Sequence, residues 1–215
     1  MNTVLLLHGA ARVGQSLAAT IGAAGGLQLL ASVTSVAEAR ELMARQTPDI
    51  FVADLLQPGG NLLALLQSLR TGAGDGGPQV LVLGASVDDP RLLQAMRHGA
   101  DGYFMPGRPQ LLIAAIQQVL RGESTMTPQI AREVMAHFDV ATPPLRLNDA
   151  DRSLLQWTAQ GYLANEVARG LRLTPPAVAL RMRAIYRKLQ FDVRAKRLGL
   201  GVCVAAHTPG AVAGR

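Results

Sequence analysis

Two kinds of segment alternate along residues 1–122, and this alternation constrains the fold more than any other feature. Short apolar runs of strand length are separated by amphipathic stretches of helix length. The runs cover residues 4–7, 27–33, 50–53, 80–83 and 102–105, and the stretches cover residues 12–23, 36–45, 61–70, 90–98 and 109–121. Five strands that alternate with five helices predict a doubly wound α/β domain with a parallel sheet.

The second part of the chain has a different pattern. Residues 123–144 have the character of a linker with one short helix, which begins near Pro128 and ends before Pro143. From residue 145 to residue 206 the periodicity is helical throughout. The sequence therefore predicts a second, all-α domain over residues 145–206 and a C-terminal tail over residues 207–215.

Composition favours a cytoplasmic protein. The chain has 215 residues and a single cysteine, Cys203, so no disulfide can form within it. The N-terminal residues lack the basic segment and the apolar run of a signal peptide. No apolar segment approaches the ~20 residues of a membrane span, so we expect no membrane partner.

Charge is unevenly distributed, although the net charge is +6. Residues 1–123 contain 8 basic and 9 acidic residues, whereas residues 124–215 contain 13 basic and 6 acidic residues. Residues 174–197 contain seven basic side chains and a single acidic one, Asp192. Such a basic cluster is the usual electrostatic signature of nucleic-acid binding, and the alternative is an ordinary solvated helix face.

Three helices are predicted in the basic region. Asn148 caps a helix that runs to about Gln160, a shorter helix covers residues 164–170, and Thr174 caps a third helix over residues 175–189. The apolar face of the third helix consists of Val178, Met182, Ile185 and Leu189. We expect this face to pack on the other two helices, and a last helix to follow at residues 196–206.

Another face of the third helix is predicted to enter the major groove of double-stranded DNA. Arginine forms bidentate contacts with guanine edges or phosphates, and small apolar side chains contact thymine methyl groups. The candidate DNA-contacting residues are Thr174, Ala179, Leu180, Arg181, Arg183, Arg187 and Lys188. Of these, the arginines that project outward are the better candidates for base contacts.

A series of positions in the second domain carries a family resemblance. They are Leu147, Leu155, Ala159, Gly161, Glu166, Val167, Ala168, Leu171, Val178, Ile185, Tyr186, Lys188, Leu189 and Arg194. The pattern resembles the LuxR-type helix-turn-helix of NarL/FixJ-family response regulators. The resemblance implies that residues 175–189 form the recognition helix and that a homodimer binds two half-sites. Departures occur at residues 163–165 and at Ala179, which stands where the family has lysine, so altered specificity is expected.

The first domain carries a second part of the same resemblance. Asp54 ends the third apolar run, Pro58 and Gly59 follow it, and residues 99–103 lead into the fifth run. This arrangement resembles the receiver domain of these regulators. The resemblance implies a flavodoxin-like fold and places Asp54 at the position of the phosphoacceptor.

The other positions of the phosphorylation pocket depart from the receiver pattern. A receiver has an acidic pair after its first strand, Ser or Thr after its fourth and Lys after its fifth, whereas this chain has His8 and Gly9, Gly84, and Pro106. Phosphoryl transfer needs a metal ion and a cation to neutralise developing charge, and one carboxylate is a poor Mg²⁺ site. Without a hydroxyl at Gly84, the switch that draws Tyr103 inward cannot form. We therefore predict a pseudo-receiver that acts as a constitutive dimerisation module or senses a small-molecule or protein ligand.

The remaining motifs point to no cofactor, metal or catalytic site. Residues 9–16 nearly match a phosphate-binding loop, but Gln15 stands where that loop needs lysine. The four histidines are scattered, and no nucleophile–base pair stands out. A non-enzymatic, DNA-binding transcription regulator is therefore the first hypothesis. The alternatives are a protein-interaction antagonist of another regulator and a conventional phosphorylation-switched response regulator.

Overall fold

The structure, a computed structural model, contains one parallel sheet in its N-terminal part. It describes residues 1–57, 61–72, 77–86, 89–105, 111–139 and 147–197. The strands are β1 (Asn2–Leu7), β2 (Leu27–Val33), β3 (Ile50–Asp54), β4 (Gln79–Leu83) and β5 (Gly102–Phe104). They are ordered β2-β1-β3-β4-β5, and every neighbouring pair is parallel. The predicted doubly wound fold is confirmed.

Nine helices lie in the described part of the chain. Those that flank the sheet are α1 (Ala11–Gly22), α2 (Val36–Arg45), α3 (Leu62–Gly72), α4 (Pro90–His98) and α5 (Leu112–Leu120). Those that follow it are α6 (Pro128–Asp139), α7 (Asp149–Ala159), α8 (Ala164–Gly170) and α9 (Pro175–Arg197). Asn148 caps α7 as predicted, because its side chain accepts the N–H of Asp151 at 2.7 Å.

Side chains of the strands alternate between two apolar cores. Val4 and Ile50 belong to a core between the sheet and helices α1 and α5. Leu5 and Phe51, one residue further along, belong to a core between the sheet and helices α2, α3 and α4. This second core continues without interruption into α6–α9 and includes Tyr186. The α/β part and the helical part therefore share one apolar core, and α9 packs directly against α4.

One boundary prediction is wrong. The sequence predicted a helix over residues 175–189 and a separate one over residues 196–206, but α9 is a single helix that continues to Arg197. No glycine or proline interrupts residues 177–197, so no residue of the kind that ends a helix is present there.

Several predicted features lie outside the described residues. They are the rest of the last helix with Cys203, the tail over residues 207–215, the boundary at Pro143, and Pro106. The division into domains at residues 122 and 145 stays a prediction. Among the described helices, none combines the length and the hydropathy of a bilayer-spanning segment.

Candidate nucleic-acid interface

Helix α9 has three faces with different surroundings. The apolar face is buried against α7 and α8, as predicted, and consists of Val178, Met182, Ile185 and Leu189. A second face is exposed and consists of Leu180, Ala184, Arg187 and Phe191. A third face packs on the α/β part and includes Ala179, Arg183 and Gln190. The helix turns its third face away from solvent, and this was not expected.

Four of the predicted DNA-contacting residues are accessible. Leu180 is 51% exposed, Arg187 is exposed and Arg181 is partly exposed. Thr174 is exposed at the start of α9, where its hydroxyl accepts the N–H of Ala177 at 3.3 Å. Of these four, Arg181 and Arg187 carry the positive charge that a phosphate or a guanine edge would contact.

Two others make contacts within the protein. Lys188 forms an ion pair with Asp151, a buried carboxylate on α7. Ala179 is buried, and its carbonyl accepts the N–H of Ser124 at 3.2 Å. Lys188 therefore holds α9 against α7, and Ala179 lies where α9 meets the segment that follows α5.

The prediction that Arg183 projects outward is wrong in this structure. The residue is only 7% exposed. Its Nη1 donates to the carbonyl of Val119 at 3.2 Å, and its Nη2 donates to the side-chain oxygen of Gln79. Gly122 adopts a positive φ of 80°, and a Cβ there would lie 3.2 Å from Nη1 of Arg183, so glycine leaves room for the guanidinium.

Asp101 forms ion pairs with two arginines, Arg183 and Arg70. Its Oδ1 is 3.5 Å from Nη2 of Arg183, and its Oδ2 accepts from Arg70 and, at 2.8 Å, from the backbone N–H of Val80. We call Arg70, Gln79, Asp101 and Arg183 the Asp101 cluster. Burial lowers the pKa of Arg183, the carboxylate of Asp101 opposes this shift, and the neighbouring cations Arg187 and Arg70 add to it. One carboxylate thus compensates two guanidinium groups in a largely buried site.

Further hydrogen bonds, on both sides of the Asp101 cluster, link α9 to residues 96, 100 and 125. The amide nitrogen of Gln190 donates to the carbonyls of Met96 and Ala100, each at 2.9 Å. The hydroxyl of Tyr186 donates to the carbonyl of Thr125 at 3.0 Å, and burial raises its pKa well above the ordinary value. These bonds satisfy polar groups that the contact buries.

The carboxyl edge of the sheet has a different character. Asp54 accepts the N–H of Leu56 at 2.8 Å and that of Gly9 at 3.4 Å, so backbone donors contact both oxygens. The imidazole of His8 is buried against Gly14, where a Cβ would lie 2.2 Å from the ring. Among the described residues, Nδ1 of His8 has no hydrogen-bond partner. Of the predicted pocket residues, Gly9 therefore contacts Asp54 through its backbone, whereas the ring of His8 packs on Gly14.

Two further residues of the predicted pocket are Gly84, which follows β4, and Tyr103, which lies in β5. A Cβ on Gly84 would lie 3.3 Å from the methyl group of Met105, so the position faces an apolar side chain. Tyr103 is partly buried, its hydroxyl is hydrogen-bonded to the side chain of Thr125, and burial raises its pKa. Tyr103 is thus directed towards the segment that also receives Tyr186.

Comparisons with known proteins agree with this architecture. No protein-family model matches the chain. The nitrate/nitrite response regulator protein NarL of Escherichia coli (strain K12) is 25% identical over 198 residues, which cover 89% of this chain and 91% of NarL. The oxygen regulatory protein NreC of Staphylococcus carnosus is 25% identical over 162 residues, which cover 71% of this chain and 74% of NreC. A two-component response regulator of the LuxR family from Aurantimonas sp. has a solved structure with 27% identity and a TM-score of 0.55, covering 66% of this chain and 99% of its own.

The chain is a LuxR-family response regulator. The family predicted from the sequence is therefore confirmed. The RcsB response regulator of Salmonella typhimurium, 15% identical over 88% of this chain and 93% of its own, shares the fold with a TM-score of 0.53.

Three residues at the contact between α9 and the receiver were not predicted from the sequence. Gln79, Asp101 and Gln190 bind α9 to the receiver. Gln79 and Gln190 belong to no motif, and Asp101 lies in the receiver-like segment 99–103 but was not predicted to contact α9. Gln190 lies seven residues after Arg183, two helical turns along the same face. That spacing indicates that the two residues share a face of α9, but it does not indicate that the receiver covers this face.

Proposed function

We propose that this response regulator is a DNA-binding transcription regulator that binds duplex DNA through α9 after α9 leaves the receiver. The helix-turn-helix arrangement, the exposed Arg187 and the partly exposed Arg181 support the proposal. A solved structure of the same fold, with 14% identity and a TM-score of 0.51, is described as two RcsB dimers bound to two parallel DNAs. The observation that carries the proposal is α9 itself, a long helix with basic side chains that follows a tight turn after α8.

The contact between α9 and the receiver lowers the affinity for DNA. Arg183 is the cation at the centre of the predicted groove-facing set, and in this arrangement Asp101 and Gln79 engage it. A regulator whose binding-competent state is only partly populated binds with an affinity reduced by that population. DNA phosphates and Asp101 therefore compete for Arg183. We call the arrangement in which α9 packs on the receiver and Arg183 is buried the closed arrangement, and it opposes DNA binding.

We propose further that regulation does not use conventional phosphorylation of Asp54. Asp54 accepts the backbone N–H groups of Gly9 and Leu56, and His8 and Gly9 stand where a receiver has its acidic pair for Mg²⁺. A cation whose charge interacts with Asp54 is Arg91, which is exposed and forms an ion pair with Asp89. The receiver would then act through its surfaces, as a homodimerisation module with one isologous contact or as a sensor. Acetyl phosphate with Mg²⁺ should leave Asp54 unmodified, as mass spectrometry of the intact protein checks, and a stable aspartyl phosphate would overturn this part.

The test of DNA binding is selection of genomic fragments by the unphosphorylated protein over a salt series. We expect salt-dependent capture, with a log–log slope that becomes about one unit shallower in Arg187→Ala. Arg12→Ala, which removes an exposed arginine from the receiver, is the matched control and should leave the slope unchanged.

Absence of capture at every salt concentration would favour a second candidate, an antagonist that binds another regulator. The observation behind it is the buried Arg183, together with the exposed apolar side chains Leu180 and Phe191 on the free face of α9. Capture that is equal for Arg187→Ala and the parent protein would also contradict α9 as the contact surface.

A further inference from the structure

A partly enclosed cavity lies where the receiver and the helix-turn-helix region meet. Its volume is about 430 Å³, within the range of about 300–1,000 Å³ typical of small-molecule sites. Gln118 of α5 and Ser124 lie on the receiver side, and Tyr162, Leu163 and the start of α9 lie on the other. The cavity requires the closed arrangement, because separation of α9 from the receiver removes one wall.

The chemistry of the walls restricts what can bind. Pro175 and Pro176 begin α9 and carry no N–H groups, so this helix terminus offers an anion few donors. Among the described residues that line the cavity, Glu123 is the single charged one, and Arg121 already pairs with it at 3.1 Å. The walls are otherwise largely apolar. A neutral, mostly apolar molecule fits these walls, whereas a phosphate or another anion does not.

The mouth of the cavity extends the apolar surface. Tyr162 is 46% exposed and Leu163 is 71% exposed, and both border the cavity. Exposed apolar side chains beside a cavity commonly mark a binding site. The ring of Tyr162 lies 4.8 Å from that of Trp157, and the side-chain amide of Gln118 makes no hydrogen bond with the described residues. Within the described part of the chain, the site thus has an aromatic rim and a polar anchor in Gln118.

We propose that this cavity is a regulatory site for a neutral, mostly apolar small molecule that stabilises the contact between α9 and the receiver. A ligand that binds only the closed arrangement shifts the equilibrium towards it by its differential affinity. Because Arg183 is buried in the closed arrangement, the ligand lowers the affinity for DNA. This last effect rests on the proposed function, whereas binding of the ligand does not.

The test uses the full chain and N-phenyl-1-naphthylamine, a neutral aromatic amine whose fluorescence rises in apolar surroundings. We expect saturable binding of one probe per chain, with a parallel change in the emission of Trp157, the single tryptophan. Ala164→Phe fills the mouth of the cavity and should weaken binding at least about tenfold. Asn165→Phe introduces the same side chain one position along α8, outside the cavity, and should change it less than about twofold.

A second variant guards against misfolding of Ala164→Phe. Leu163→Ala removes an exposed side chain from the rim and should weaken probe binding by about two- to fivefold. Absence of saturable binding to the parent protein, or binding that both cavity variants retain in full, would overturn the proposal.

The regulatory arm is measured on a captured DNA fragment. Saturating probe should weaken DNA binding by about fivefold or more, and the effect should disappear in Ala164→Phe. Probe binding without any change in DNA affinity would overturn the regulatory role. If the protein binds no DNA at all, the proposed function fails, while the fluorescence titration still decides whether the site exists.

Discussion

The two edges of the receiver sheet differ in where they keep their charge. At the carboxyl edge, Asp54 is contacted by the backbone N–H groups of Gly9 and Leu56, and Gly84, which follows the neighbouring strand β4, lies against Met105. At the amino edge, Gln79 and Asp101 lie just where β4 and β5 begin and bind the buried guanidinium of Arg183. The ion pair between α9 and the receiver, Arg183 with Asp101, therefore lies at the amino edge, opposite Asp54.

This difference indicates which edge controls the helix-turn-helix region. A buried carboxylate shared by two arginines is expensive to disrupt, because removal of one partner leaves an uncompensated buried charge. Disrupting a partly exposed carboxylate that is held by backbone donors, such as Asp54, costs much less. We infer that the closed arrangement depends on the amino edge. Four substitutions at the contact with α9 test this inference, and the first is compared directly with the carboxyl edge.

The largest effect is expected for Asp101→Asn. The change keeps the shape but removes the negative charge that Arg70 and Arg183 share, so the free energy of unfolding should fall by about 3–5 kcal/mol. Urea denaturation measures it. Asp54→Asn at the opposite edge is the matched control, with an expected loss below about 1 kcal/mol. Equal losses at both edges would remove the asymmetry on which the comparison depends.

Gln79→Ala should weaken the contact while leaving the Asp101 carboxylate in place. It removes one acceptor of Arg183, and a hydrogen bond to a charged group is worth about 1.5–3 kcal/mol. The open population should rise, so affinity for a captured DNA fragment should increase by about tenfold or more. Fluorescence anisotropy measures this affinity. Gln28→Ala, on the exposed surface of β2, should not alter it, and a decrease in Gln79→Ala would contradict competition for Arg183.

Gln190→Leu tests the contact beside the Asp101 cluster. Loss of the two hydrogen bonds to Met96 and Ala100 should cost roughly 1–2 kcal/mol, and hydrogen exchange of the amides in α9 should accelerate accordingly. Gln117→Leu places the same side chain on an exposed position of α5 and serves as the control. Unchanged protection of α9 would show that this end of the helix does not hold the closed arrangement.

Tyr186→Phe should have the smallest effect, a loss of about 0.5–1.5 kcal/mol for its bond to Thr125. Its pH dependence is more informative. Because burial raises the pKa of Tyr186 in the folded protein, its contribution to stability is complete below about pH 10 and declines as the pH rises further. The stability of the parent protein should therefore fall more steeply above pH 10 than that of Tyr186→Phe. Parallel pH profiles would mean that the hydroxyl is not buried in solution.

The fold and the family could be predicted because both depend on local patterns. Apolar runs separated by amphipathic stretches specify strands and helices one segment at a time, and β3 and α4 appear where the pattern places them. The apolar face of α9 was also predictable, since Val178 and Ile185 follow helical spacing. The continuity of α9 to Arg197 could also have been predicted, because residues 177–197 contain no helix-breaking residue.

The surroundings of Arg183 depended on tertiary structure. By itself, the sequence determined that Arg183 lies on a different face of α9 from Val178 and Ile185, because helical periodicity relates residues within one element. Only the packing of α9 against α4 and the ends of β4 and β5 decided that this face is covered and that its guanidinium meets Asp101. Asp101 and Arg183 are separated by 82 positions in the chain, and no local pattern encodes which surfaces meet when distant segments share one core.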